Sequence, residues 1–291
     1  MNPNPEFDSL VPGQTYDRRS FIVTTLGAGF ALATQPVMAQ TAIKTDDAGL
    51  VAGEIKVPVS DGELVAYRAL PKGAAKPPVV LVVSEIFGVH EYIKDTCRRL
   101  AKLGYCAIAP ELFARQGDPR TIESIPDILS KIVYKTPDAQ VMSDFDACVA
   151  WAASQGADSQ RLAITGFCWG GRIAWLYSAH NPQLKAAVAW YGRLVGVASE
   201  ITPKHPADLV GQIMAPVLGL YGGLDAGIPL ETVEAMEKAL AQGSAAARLS
   251  EIHVYDNAPH AFHADYRPSY RKAEAEDGWQ RMLAWFKKSG V

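Results

Sequence analysis

Four cysteines and six histidines occur in this 291-residue chain, and none of them falls into a C-x-x-C or H-x-x-x-H spacing. A dedicated metal site therefore has no ligand pattern to rest on, and no cofactor is expected. Basic residues are equally dispersed: Arg98-Arg99 and Lys287-Lys288 are isolated pairs in a chain of net charge -3. That excludes a nucleic-acid surface. There is no internal repeat and no low-complexity tract. What is present is 48% hydrophobic residues, enough for one α/β domain with a large core, and the chain is expected to work as a monomer.

The N-terminus reads separately. Asp17-Arg-Arg-Ser-Phe-Ile22 precedes a mild apolar run from Val23 to Ala33 and then Val37-Met-Ala39. This looks like a twin-arginine export signal over residues 1–39, cut after Ala39. The apolar run is too short and too weakly apolar to act as a stable membrane anchor. The expectation is thus a precursor handled by the twin-arginine export machinery and a periplasmic or secreted product, with a linker over residues 40–52. In an oxidising compartment cysteines tend to pair. Cys97 and Cys148 fall in helical patterns and Cys106 in a strand, all among apolar neighbours, which reads as buried thiols. A bond between Cys97 and Cys106 stays open.

From Gly53 onward the pattern is a single domain, 53–291. Gly53–Val59, the turn Ser60-Asp-Gly62 and Glu63–Ala69 read as a β-hairpin. Strands at 77–83, 105–109, 161–165, 184–190, 215–221 and 250–255 then alternate with helices at 93–103, 139–154, 173–179, 230–241 and 273–287. Such alternation predicts an α/β fold with a mainly parallel central sheet and helices on both faces, its site beyond the carboxyl ends of the strands. The irregular stretch 111–137, rich in Pro, Asp and Ile, reads as a lid beside that site.

The chemistry starts at Gly166-Phe-Cys-Trp-Gly170, where a strand runs into a helix and a cysteine stands at the centre of a G-x-nucleophile-x-G elbow. The sharp bend exposes the central side chain, and the helix N-terminus favours a thiolate and leaves N-H groups for an oxyanion. Asp225 lies just past one later strand and His260 just past the last, so the order is nucleophile, acid, base, as in α/β-hydrolases. An imidazole to take the thiol proton and a carboxylate to orient it make a coherent set. Glu85 sits at the end of the apolar strand 79–83, where its charge points into the cleft. His263, His253 and Asp256 are weaker candidates for base or acid. His90 reads as a turn terminator or pocket wall, and Trp190, Tyr191 and Trp175 as core or pocket wall.

With these pieces in place the chain resembles the dienelactone hydrolase (carboxymethylenebutenolidase) family over essentially all of residues 50–290. The matching segments are Ser84-Glu-Ile-Phe-Gly-Val-His90, Pro110-Glu-Leu-Phe113, Gly166-Phe-Cys-Trp-Gly-Gly171, Trp190-Tyr-Gly192, Gly222-Gly-Leu-Asp225 and His260-Ala-Phe262. The resemblance implies an α/β-hydrolase fold, a triad of Cys168, Asp225 and His260, and Glu85 as the carboxylate that contacts the resting thiol. It also implies an oxyanion hole from the backbone N-H groups of Ile86 and Trp169. One position departs from the pattern. Four residues past the histidine, where an arginine grips the substrate carboxylate, this chain has Ala264, which leaves Arg267, Arg115 and Arg120 as substrate-binding candidates, with Lys131 and Lys135 as weaker substitutes. The expected activity is hydrolysis of a lactone or small activated ester, a small-molecule substrate, through a Cys168 acyl-enzyme. A general carboxylesterase and a non-catalytic exported binding protein are the alternatives.

Overall fold

The computed structural model describes residues 43–291; the expected signal over residues 1–39, its cut after Ala39 and residues 40–42 lie outside the described residues. Eight strands form one sheet: β1 (Leu50–Val59), β2 (Gly62–Pro71), β3 (Pro78–Val83), β4 (Cys106–Pro110), β5 (Asp158–Phe167), β6 (Leu184–Trp190), β7 (Val217–Gly222) and β8 (Glu251–Tyr255). Their order is β1-β2-β4-β3-β5-β6-β7-β8. β2 is antiparallel to both β1 and β4, and every later pairing is parallel. This is the mainly parallel α/β sheet expected from the alternation. Its central strands are buried almost end to end, and β4 and β7 are buried throughout, as strands covered on both faces must be.

Among the described residues six helices accompany the sheet: α1 (Glu91–Lys102), α2 (Ile125–Lys131), α3 (Asp138–Ser154), α4 (Trp169–His180), α5 (Leu230–Leu240) and α6 (Lys272–Lys288). The path from β3 through α1 to β4 runs one way along the sheet, whereas the β5-α4-β6 and β7-α5-β8 paths run the other way. Right-handed crossovers then put α1 on one face and α4 and α5 on the opposite one. The reversal falls at β3, which lies between β4 and β5. A crevice opens there beyond the carboxyl ends, and it is where Glu85 follows β3 and Cys168 follows β5.

Four expectations are corrected. The hairpin begins at Leu50 rather than Gly53, in register from Leu50↔Pro71 to Val59↔Gly62. The preceding residues belong to the fold and not to a linker: the Thr45 N-H donates to Asp95 Oδ1 at 2.6 Å, and Lys102 Nζ reaches Asp46 Oδ1 at 2.6 Å. The helix after the elbow begins at Trp169, four residues before Ile173, because glycines at 170 and 171 are held by close packing rather than by their weak helix propensity. The stretch 111–137 is less irregular than its composition suggests. It contains α2, with Ser124 accepting from the Asp127 N-H as its N-cap, and short 3-10 turns at Pro119–Thr121 and Val133–Lys135. Leu112, Phe113, Ile128 and Ile132 from this stretch are buried.

No disulfide joins any of the four cysteines, all of which are buried, so Cys97 and Cys106 do not pair. Burial pushes the Cys106 thiol up to about 11 and raises those of Cys97 and Cys148 as well. Such thiols stay protonated and chemically quiet. No helix among the described residues is long and apolar enough to cross a membrane, and no group of His, Cys, Asp and Glu among them forms a metal cluster.

Candidate active site

The elbow is built by backbone crowding. A Cβ on Gly166 would collide with the carbonyl oxygen of Gly170, and one on Gly170 would lie 2.5 Å from Val83 O and 2.6 Å from Ser84 O. Only glycine lets the first turn of α4 approach β5 and the end of β3 so closely. That approach brings the segment Ser84-Glu85-Ile86 alongside Cys168 and Trp169. Cys168 itself is the N-cap of α4 with φ 56° and ψ -117°, a strained conformation for a residue with a Cβ and one that costs about 1–3 kcal/mol. Its own N-H donates to Trp190 O at 3.0 Å, which ties Cys168 to the end of β6.

Cys168 is 0% exposed, Glu85 and His260 1% each, and Asp225 4%, so the four lie in a closed, low-dielectric site. Asp225 Oδ2 accepts from His260 Nδ1 at 2.6 Å. Among the described residues His260 Nε2 makes no conventional hydrogen bond, while the Cys168 sulfur acts electrostatically on the imidazole. Burial disfavours the imidazolium, but the charges of Asp225 and Cys168, with the Asp225 hydrogen bond, outweigh it and raise the His260 pKa well above the usual histidine value. This is the electrostatic condition for a base that accepts a thiol proton.

Glu85 sits in a polar chain. Its Oε2 accepts from His90 Nε2 at 3.1 Å, and its Oε1 from the Tyr266 hydroxyl at 3.4 Å. The Tyr266 oxygen in turn accepts from Arg267 Nε at 3.1 Å. Burial works against the carboxylate, yet the His90 hydrogen bond and charge, with Arg267 behind them, hold its pKa below the usual glutamate value. Arg267 is buried, its guanidinium lies 5.0 Å from the Phe87 ring centroid, and its Nη2 has no hydrogen-bond partner. An unpartnered buried donor of this kind is costly unless something else occupies it.

The other arginine candidates are engaged elsewhere. Arg115 places Nε and Nη2 on Asp61 and both Nη atoms on Asp144, at 2.7–3.0 Å, and its expected role on substrate is withdrawn: its fork is filled by two carboxylates. Arg120 pairs with Asp118 and Glu111 and donates to Val89 O. It is more than a third exposed and braces the loop before α1. Asp225, not Asp256, is the partner of His260. His253 packs edge-on against Tyr255 on β8. His263 is buried and paired with the Tyr92 hydroxyl at 2.5 Å. Phe113 of the 111–137 stretch packs on Trp169 with ring centroids 4.6 Å apart, so that stretch does border the elbow. His90, read as a turn terminator or pocket wall, is the N-cap of α1 and also the hydrogen-bond donor to Glu85.

A strained elbow cysteine at the end of one parallel strand, with a carboxylate and a buried histidine beyond two later ones, sits on the sheet topology of an α/β-hydrolase. A family model described as "Dienelactone hydrolase family" matches residues 64–290, and the chain belongs to that family. It is 59% identical over 284 residues to a protein of Methylorubrum extorquens named "Putative carboxymethylenebutenolidase", covering 97% of each chain. It is 31% identical over 225 residues to a Bradyrhizobium protein named "Probable 2-oxo-3-(5-oxofuran-2-ylidene)propanoate lactonase", covering 77% of this chain and 88% of that one. Among solved structures, one titled "Putative Dienelactone Hydrolase" from Klebsiella pneumoniae superposes with a TM-score of 0.79 at 59% identity, covering 82% of this chain and 98% of that one.

Proposed function

We propose that this dienelactone hydrolase family member opens a lactone or cleaves a small activated ester through a Cys168 acyl-enzyme. The observation that carries the reading is the buried chain from Asp225 Oδ2 through His260 to Cys168 at a strained elbow. His260 takes the thiol proton as sulfur attacks the carbonyl carbon, and the carbonyl electron pair moves onto oxygen. The N-H of Trp169, in the first turn of α4, and that of Ile86 beside it hold that oxyanion. Collapse expels the ring or ester oxygen, which takes its proton from His260. Water activated by the same imidazole then releases the acid and restores the thiol.

Arg267 takes the place that Ala264 leaves vacant as the arginine for a substrate carboxylate. Its buried Nη2 with no partner supports this, as does the carboxylate-bearing lactone in the name of the Bradyrhizobium relative. The precursor is exported through the twin-arginine machinery; lysine at both Arg18 and Arg19 should leave unprocessed protein in the cytoplasm, and normal export of that variant would contradict this.

The test of the activity is p-nitrophenyl acetate and a panel of lactones assayed with the wild type and Cys168→Ala. Turnover above background in the wild type alone supports the reading. Equal rates for the two proteins would overturn it in favour of a non-catalytic role.

A further inference from the structure

Three buried side-chain atoms around the cleft have no conventional hydrogen-bond partner: His260 Nε2, Arg267 Nη2 and the Tyr191 hydroxyl. The reading above accounts for the first two and leaves Tyr191 unexplained. Its position follows from the sheet. Phe167 pairs with Trp190 at the end of the β5-β6 ladder, so the next residues, Cys168 and Tyr191, leave the two strands side by side, tied by the Cys168 N-H to Trp190 O. Tyr191 is 0% exposed, and its ring lies 5.0 Å from the His260 ring at 59°.

The backbone holds it there against its preference. Tyr191 has φ 39°, a left-handed conformation that an aromatic residue adopts at a cost of about 1–3 kcal/mol. The Tyr191 N-H donates to Leu220 O at 2.8 Å, and Gly192 O accepts from Tyr221, which in turn accepts from Trp175 Nε1. Gly192 also packs so tightly on Gly171 that a Cβ there has no room. Strain enforced from several sides, ending in a buried hydroxyl with nothing to bond, is a pattern found where a side chain is aimed at a ligand. Burial, and then the nearby charges of Glu85, Tyr266 and Cys168, raise the Tyr191 phenol well above its usual pKa. It remains a donor throughout.

We infer that the Tyr191 hydroxyl donates a hydrogen bond to the departing oxygen when the Cys168 acyl-enzyme forms. This rests on the acyl-enzyme reading. In that step the C–O bond breaks, its electron pair goes to the leaving oxygen, and the proton comes from His260. Tyr191 transfers no proton; it stabilises the charge that builds on oxygen before His260 delivers one. The phenol helps most where that charge is least stable, on an alkoxide, and least on a p-nitrophenolate that leaves unaided.

The test compares wild type and Tyr191→Phe on an alkyl ester or aliphatic lactone and on the p-nitrophenyl ester of the same acid, by kcat/KM and by the p-nitrophenol burst. The expected result is a fall of roughly 10- to 100-fold with the alkoxide leaving group, and a burst within about threefold of wild type, which also shows the variant folded and its triad intact. Equal effects on the two substrates, whether large or absent, would overturn the inference. Wild-type turnover that survives Cys168→Ala would instead overturn the acyl-enzyme reading, so the two failures are distinguishable.

Discussion

His260 and His263 lie three residues apart on one loop, both buried, and their proton affinities are displaced in opposite directions. Burial opposes the charged form of each. His260 has Asp225 at 2.6 Å and Cys168 beyond it, and its pKa rises well above the usual histidine value. Among the described residues His263 has no carboxylate partner. Burial lowers it well below that value, and the Arg99 guanidinium adds to the effect. It pairs with the Tyr92 hydroxyl, and its ring stacks against Phe167 and Trp279. A buried histidine gains proton affinity here through the carboxylate on its Nδ1, and without one the same residue type is core.

The largest expected effect is on the pair itself. His260→Gln should lower kcat/KM at least about a thousandfold, while His263→Gln should stay within about tenfold of wild type and lose roughly 1–3 kcal/mol of stability through the unpaired Tyr92 hydroxyl. Steady-state assays and denaturant melts check both, and comparable catalytic losses would erase the distinction. Next comes the acid. Asp225→Asn should cost about a thousandfold or more in kcat with the fold unchanged, because the imidazole then loses its charge partner and its tautomer. A loss under tenfold would mean that Asp225 does not orient the base.

The smallest effect sharpens the comparison through pH. The unfolded chain protonates His263 near the ordinary value of about 6.5, whereas the folded site resists protonation. The stability His263 contributes is therefore complete above that pH and is lost as pH falls below it. The melting temperature should drop as the pH is lowered from 7 through the histidine range, and less steeply in His263→Gln. Glu85, whose folded pKa is lowered, acts in a separate window: its contribution is present above the ordinary glutamate range and is lost only as pH falls through its lower folded value. An unchanged slope in His263→Gln would show that the buried His205 and the partly buried His253, also lowered by burial, carry the effect.

The part of the site legible in the sequence is the part that strand ends dictate. Cys168, Asp225 and Glu85 each follow a buried apolar strand at a turn with its own signature, and strand order alone brings them to one edge of the sheet. Arg267, His90 and Tyr191 were harder to place because their positions depend on how loops curl. Arg267 reaches the cleft through turns in which Ala264 bonds back to Ala261, Arg267 to Ala264 and Arg271 to Phe262, none of which has a periodic pattern. Arg115 had the right residue type, but its partners Asp61 and Asp144 are 54 and 29 positions away. The positive φ of Tyr191 has no sequence mark beyond the glycine that follows it. The helices of the 111–137 stretch were hidden by their shortness and by prolines that in fact sit in their first turns.

The central claim is that Cys168 carries the acyl group. Intact-protein mass spectrometry on wild type mixed with p-nitrophenyl acetate and acid-quenched within the burst tests it most directly. The account predicts one acetyl increment, mapped by peptide analysis to Cys168 and absent in Cys168→Ala. Turnover at the wild-type rate with no adduct on Cys168, or with the acetyl group on another residue, would contradict it.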